Sequence, residues 1–353
     1  MLAGSLAAAD DRVPSDPDAL ARSGTAAIES GRFGDALEAF TRAAALRPED
    51  ASLCFGAGVA AFMLGQNELA QARFERALAL KPTYLPAALW LGDLHYRAGR
   101  LREAISTYEI ARQQSPGARE LGEQLAIWRR EHELERRFHE VRSAHFAARF
   151  ELVTDERLAR EVLDRLEAAY SRVGNTLGVY PSRPITVVLY TREQFVDITR
   201  LASWSAAGYD GRIRVPLGGA QQGDELDRVL SHEFVHAVVA MVGGRAVPAW
   251  VNEGLATVLE PAGSQDVEAA PARTRARPAL SKLHGGFAGL SRRDAEIAYA
   301  SAASAVRRLL ERRGPAALVA LLEDLSRGAP FAGAFQRRMA MRYEDFAALV
   351  ARN

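Results

Sequence analysis

Two histidines stand four residues apart in Ser231-His232-Glu233-Phe234-Val235-His236, and Glu253 follows in Trp250-Val251-Asn252-Glu253-Gly254-Leu255-Ala256. On a helix, residues i and i+4 share a face, so both imidazoles can reach one metal ion. A carboxylate from a separate segment completes a His₂Glu set for Zn²⁺, about one ion per chain, with a fourth position open. Glu233 is rotated about 100° from His232 around the helix, which removes it from the ligand set. Its carboxylate can instead take a proton from an attacking water and pass it to a leaving amine. That is metal-assisted hydrolysis, and its oxyanion calls for a further donor from a Tyr, His or Arg elsewhere. The competing reading is a helix whose His232 and His236 make ordinary hydrogen bonds.

The elements that must position these side chains can be traced outward. The motif helix opens at Gly223-Asp224 with Asp224 as the expected N-cap, shows Leu226, Leu230, Val238 and Met241 as its apolar face, and stops at Gly243-Gly244. A second helix starting near Pro248 carries Glu253. Upstream, His145–Val153 and Pro184–Tyr190 predict strands, with helices over Asp155–Leu177 and Thr191–Leu201. Arg212-Ile213-Arg214-Val215 alternates between glycines and a proline, as a strand at a sheet edge would. Residues 261–285 form a loop rich in Ala, Pro and Arg with a lid role open to it, and helices follow over Ala295–Arg313, Pro315–Arg327 and Tyr343–Arg352.

The first third is periodic. Gly24, Gly58 and Gly92 are spaced by 34 residues, as are Ala36, Ala70 and Ala104, the aromatic set Phe40, Phe74 and Tyr108, Ala43, Ala77 and Ala111, and Pro48, Pro82 and Pro116. Small columns allow helices to cross closely, and proline ends each second helix. The pattern resembles the tetratricopeptide repeat, three copies over residues 17–118, which implies stacked helix pairs and a groove for a peptide or protein partner. Cys54 falls in an apolar context, as a buried structural thiol. Residues 119–141, dense in Arg and Glu, fit a solvating cap and linker helix, with His132 and His139 at its surface.

Residues 142–353 resemble the gluzincin metallopeptidases, specifically the peptidase MA-like group. The matching text is Leu230–His236, Pro248–Ala256 and Tyr299–Leu309. The resemblance implies an α+β thermolysin-like domain, with His232, His236 and Glu253 as zinc ligands and Glu233 as the base. It also implies Tyr299 as the donor to the intermediate; aromatic packing beneath the site is the alternative for that residue. Glu260 and Thr257 are candidates to orient the ligands, Glu260 with a surface salt bridge as its alternative. Arg212, Ile213, Arg214 and Val215 are a candidate substrate-binding edge strand. No Gly-Ala-Met-Glu-Asn segment precedes the motif, which leaves recognition of a free amino terminus unsupported and favours an endopeptidase. His284 reads as a loop histidine without a role.

Composition narrows the classes further. The 353 residues, 48% hydrophobic, suffice for two domains, and 45 Lys and Arg against 44 Asp and Glu leave a net charge of +1. A nucleic-acid binder calls for a basic stripe, and Arg273, Arg275 and Arg277 make only a small patch. One cysteine excludes an intrachain disulfide, and no apolar run is long enough to span a membrane. Residues 1–16 form a tail in which Met1–Ala9 resembles the end of a signal peptide, implying a periplasmic or secreted protein; a plain tail implies a cytoplasmic one. The expected whole is multidomain: an all-α repeat solenoid, then an α+β metallopeptidase domain acting on peptide or protein. The alternative is a repeat scaffold whose second domain binds metal without turnover.

Overall fold

The computed structural model describes residues 16–151, 156–199, 208–217, 223–261, 278–287 and 290–351. The signal-like tail, most of the expected lid, and Arg273, Arg275 and Arg277 lie outside the described residues.

Six helices form three antiparallel pairs: α1 (Pro17–Glu29) with α2 (Phe33–Leu46), α3 (Ala51–Met63) with α4 (Asn67–Leu80), and α5 (Leu85–Arg97) with α6 (Leu101–Gln114). The columns have a direct packing cause. A Cβ on Gly24 or Gly58 would lie 2.7 or 2.6 Å from Phe40 or Phe74, and one on Gly92 would collide with Tyr108, so each glycine makes room for its own repeat's ring. Phe40 also meets Gly56 of the next repeat, which joins the pairs into one stack. Cys54 is buried. A further column lies at the turns inside each pair: Gly31, Gly65 and Gly99 adopt φ of 69°, 76° and 73°, a left-handed conformation that favours glycine.

The cap helix α7 is shorter than expected, Arg119–Glu135, because the chain then extends into strand β1 (Phe138–Arg142). His139 therefore lies on a strand. Nor is α7 a solvated face: Glu131 and Glu135 are buried. With β2 (Phe146–Glu151), β3 (Ile185–Thr191), β4 (Gly208–Tyr209) and β5 (Ile213–Leu217), the sheet runs in the order β1-β2-β3-β5-β4. The β2-β3 and β3-β5 pairs are parallel and the outer two antiparallel. Strand β3 is buried on both faces, which explains its unbroken apolar run. Val187 and Leu189 join the main core with α8 (Glu156–Leu177), while Val188 and Tyr190 pack with Phe195 and Ile198 of α9 (Arg192–Thr199) and Leu134 of α7.

The motif helix α10 (Asp224–Gly243) buries Leu226, Leu230, Phe234, Val235 and Val238 in the main core. Its N-cap is Gly223, one residue before the expected Asp224, and Met241, expected on the buried face, is 50% exposed. Helix α11 (Ala249–Val258) follows, then α12 (Arg292–Ser326), α13 (Phe331–Met339) and α14 (Tyr343–Ala351). Helix α12 breaks at Gly314 (φ 75°) before Pro315, the division expected from sequence.

Candidate metal centre

Helices α10 and α11 bring three ligand-type side chains together. The ligand atoms of His232, His236 and Glu253 lie within 4.8 Å of one another. Glu253 Oε2 is 3.4 Å from Nε2 of His232 and 3.5 Å from Nε2 of His236. The outward nitrogens are held separately: His232 Nδ1 donates to Glu260 Oε1 at 2.8 Å and His236 Nδ1 to Asn252 Oδ1 at 3.0 Å. Fixing each Nδ1 as a donor turns each Nε2 toward the shared point, the arrangement a metal-binding imidazole requires. Glu253 Oε2 is buried and, beyond its two long contacts with those Nε2 atoms, has no hydrogen-bond partner among the described residues. An orphaned carboxylate oxygen between two converging Nε2 atoms fits a borderline cation such as Zn²⁺.

The positions follow from packing. A Cβ on Gly254 would lie 2.5 Å from the carbonyl oxygen of Ala302, so only glycine lets α11 cross α12 at that distance. Trp250, fully buried, stacks on Tyr343 and Phe346 and meets Phe331 edge-on, which anchors the start of α11 on the C-terminal helices. His284 has a structural part: its carbonyl accepts from Ala249 N at the start of α11, and its Nε2 lies 2.8 Å from Tyr343 Oη.

Burial opposes a charge on His232, but Glu253 and Glu260 outweigh it and push the imidazole up to about 10. Burial would likewise raise Glu253, and the two histidines instead bring it down to about 2. Proton and metal compete for the same Nε2 lone pair, so a bound cation displaces that proton. Burial raises the Glu233 carboxyl above the usual range, with His236 and His232 partly offsetting it. Its Oε2 is also buried and without a hydrogen-bond partner among the described residues. The Tyr299 ring lies 6.3 Å from that of His232 and meets Phe287 edge-on at 5.2 Å, and burial raises its hydroxyl.

Other expected positions fall differently. Glu260 lies just past the end of α11, buried, with Arg228 3.8 Å away, and its closer partner is His232. The Thr257 hydroxyl donates to the main-chain oxygen of Glu253, so it does not orient a ligand side chain. Arg212–Val215 is not an exposed edge, since β5 lies between β3 and β4, with Ile213 and Arg214 paired on both sides. Ile213 and Val215 point into the core. Arg212 and Arg214, on the opposite face, bond Glu131 at 2.8 and 2.6 Å, and Arg212 reaches Glu135 at 2.7 Å. Asn252 was missed as a partner of His236; its place beside Glu253 was the available signal.

A cavity of about 990 Å³ opens over the cluster, lined by His232, Glu233, His236, Asn252, Glu253 and Tyr299 and also by solenoid residues.

Tetratricopeptide repeat family models match residues 61–123, and residues 5–51 and 21–70. The N-terminal part of the chain thus carries tetratricopeptide repeats, an all-helical module suited to protein–protein interaction. No curated protein matches the chain. Among solved structures, a crystal structure of MamA is similar at 25% identity, covering 34% of this chain and 71% of that one with a TM-score of 0.33. The first such domain of Spaghetti (RPAP3), bound to an HSP90 peptide, is 22% identical over 35% of this chain and 98% of its own, with a TM-score of 0.32. The second domain of human RPAP3, in complex with an HSP70 peptide, is 24% identical over 32% and 98%, at 0.30.

Proposed function

We propose that the C-terminal half is a zinc-dependent peptidase of gluzincin type, acting as an endopeptidase on peptide or protein brought to it by the repeats. The observation that carries this reading is the convergence of two oriented Nε2 atoms and the orphaned Glu253 oxygen beside a second buried, unpartnered carboxylate, Glu233. His232, His236 and Glu253 would hold the ion, with Glu260 and Asn252 fixing the imidazoles. When bound, zinc supplies Lewis acidity that activates water near neutral pH and polarises the scissile carbonyl. Glu233 accepts a proton from the attacking water and returns it to the leaving amine. Tyr299 donates its hydroxyl to the oxygen on which charge develops.

A second reading is favoured by the family matches, which all fall within residues 5–123: a repeat-based interaction protein whose C-terminal half binds metal without turnover. One experiment separates them. The first reading expects about one zinc per chain by elemental analysis, with cleavage of casein or of a broad peptide library that o-phenanthroline stops. Zinc-loaded protein that cleaves no library member selects the scaffold; failure to bind zinc on reconstitution ends both.

A further inference from the structure

The cavity over His232 and Glu253 has lining from both halves of the chain. Asn67, Glu68, Asp93 and Arg97 of the repeats and Gln124 of the cap helix α7 share it with the His232–His236–Glu253 cluster. The two halves are locked together by main-chain contact. A Cβ on Gly244 would lie 2.8 Å from the carbonyl group of Leu64, and Arg245 N donates to Met63 O at 2.9 Å. The Arg245 guanidinium caps the Phe62 ring at 3.8 Å and donates to Phe62 O and Asn67 Oδ1. At the next repeat, Gly211 packs against the carbonyl of Arg97, and Arg214 donates to Tyr96 Oη at 2.8 Å. The turns of the second and third repeats are therefore a fixed part of the cavity.

We infer that this solenoid surface binds the substrate of the metal centre, and that the substrate enters as an extended peptide segment held between the two halves. The inference rests on the hydrolase reading for the word substrate, while the binding surface stands on geometry alone. At about 990 Å³ the cavity is at the upper end of the roughly 300–1,000 Å³ of small-ligand pockets, room for a stretch of chain and too little for a folded domain. Its solenoid side offers both donors and acceptors. Asn67 spends its carbonyl oxygen on Arg245 and keeps its amide N–H groups, and among the described residues the side chains of Glu68 and Gln124 have no hydrogen-bond partner. That mixture matches the alternating C=O and N–H groups of a main chain. Asp93 on the same surface is paired with Arg97 at 2.7 Å, which leaves Glu68 as the acidic side chain that works against a phosphate group.

The test uses the full zinc-loaded chain carrying Glu233→Gln and fluorescein-labelled casein peptides, read by fluorescence anisotropy. Adding Glu68→Arg or Gln124→Trp is expected to weaken peptide binding at least fivefold, with zinc content and thermal unfolding unchanged. Equal binding by all three proteins, or no binding by the parent, would overturn the inference. Casein cleavage by the chain with Glu233 intact reports separately on the hydrolase reading. Weakened binding in the variants without any cleavage keeps the solenoid surface and removes the enzyme.

Discussion

Two clusters of buried polar side chains in this chain differ in how completely they are satisfied. In the first, Arg212 and Arg214 meet Glu131, Glu135 and Asp210, while Tyr96 and Tyr190 add hydroxyls to Glu131. Among the described residues, Arg212 Nε is the one buried side-chain atom of that group left without a hydrogen-bond partner. In the second, around His232 and His236, Glu233, Glu253 and Glu260 each keep a buried carboxylate oxygen without a hydrogen-bond partner among the described residues. Closed networks hold elements in register, whereas leaving several acceptors unpaired in a buried site is costly unless a ligand completes them. The first cluster joins α5, α7, β3 and β5; the second has the composition of a metal site.

Four substitutions probe that contrast. Glu233→Gln is expected to lower casein cleavage by about 10²–10⁴-fold with zinc retained, since only a proton acceptor is lost; cleavage at the original rate would return Glu233 to a packing role. Glu131→Gln leaves two buried guanidinium groups short of a charge and is expected to cost about 3–5 kcal/mol in urea unfolding. Its pH dependence has a definite sign. Burial works to raise the Glu131 carboxyl, but Arg214 and Arg212 prevail and hold it at about 2, below its ordinary 4.5. The stabilisation is therefore fully present above pH 4.5 and lost as pH falls toward 2, so the gap between parent and variant should close over that window. A gap that persists at low pH would show the cluster is held by packing.

Asn252→Ala should weaken zinc binding by about 10–100-fold in a competition titration while leaving global stability nearly intact, because it frees the His236 ring without touching a ligand. An unchanged affinity would mean that α10 alone orients the ring. The smallest effect is expected from Thr257→Val, within about 0.5 kcal/mol in stability and with no change in zinc affinity, since that hydroxyl bonds only main chain. A measurable loss of zinc there would enlarge the second cluster.

Much of the solenoid was legible because its columns repeat every 34 residues and each column has one local packing job, such as Gly58 beneath Phe74. The convergence of His232, His236 and Glu253 was legible for a related reason: the two histidines are a turn apart on one helix, and local geometry transmits them intact. Helix α7 was not. Its Glu131 and Glu135 sit among Arg129, Arg130, Arg136 and Arg137, and a charge-dense helix reads as solvated when its partners, Arg212 and Arg214, are far along the chain. For the same reason Arg212–Val215 read as an exposed edge: alternation reveals that a strand has two faces but not what covers them.

By itself, then, the sequence determined most of the elements and their local chemistry, though neither β1 nor the helix over Phe331–Met339: the repeat period, the spacing of the histidines, the glycine beside Glu253 and the break at Gly314-Pro315. Only the tertiary structure decided what meets what. It set Glu260 on His232 and Asn252 on His236, turned the arginines of β5 inward, and made the repeat turns part of the cavity over the histidines. The physical reason is range. Periodicity and capping are fixed within a few turns of chain, whereas burial and the pairing of charges depend on surfaces that meet only once the two halves have packed.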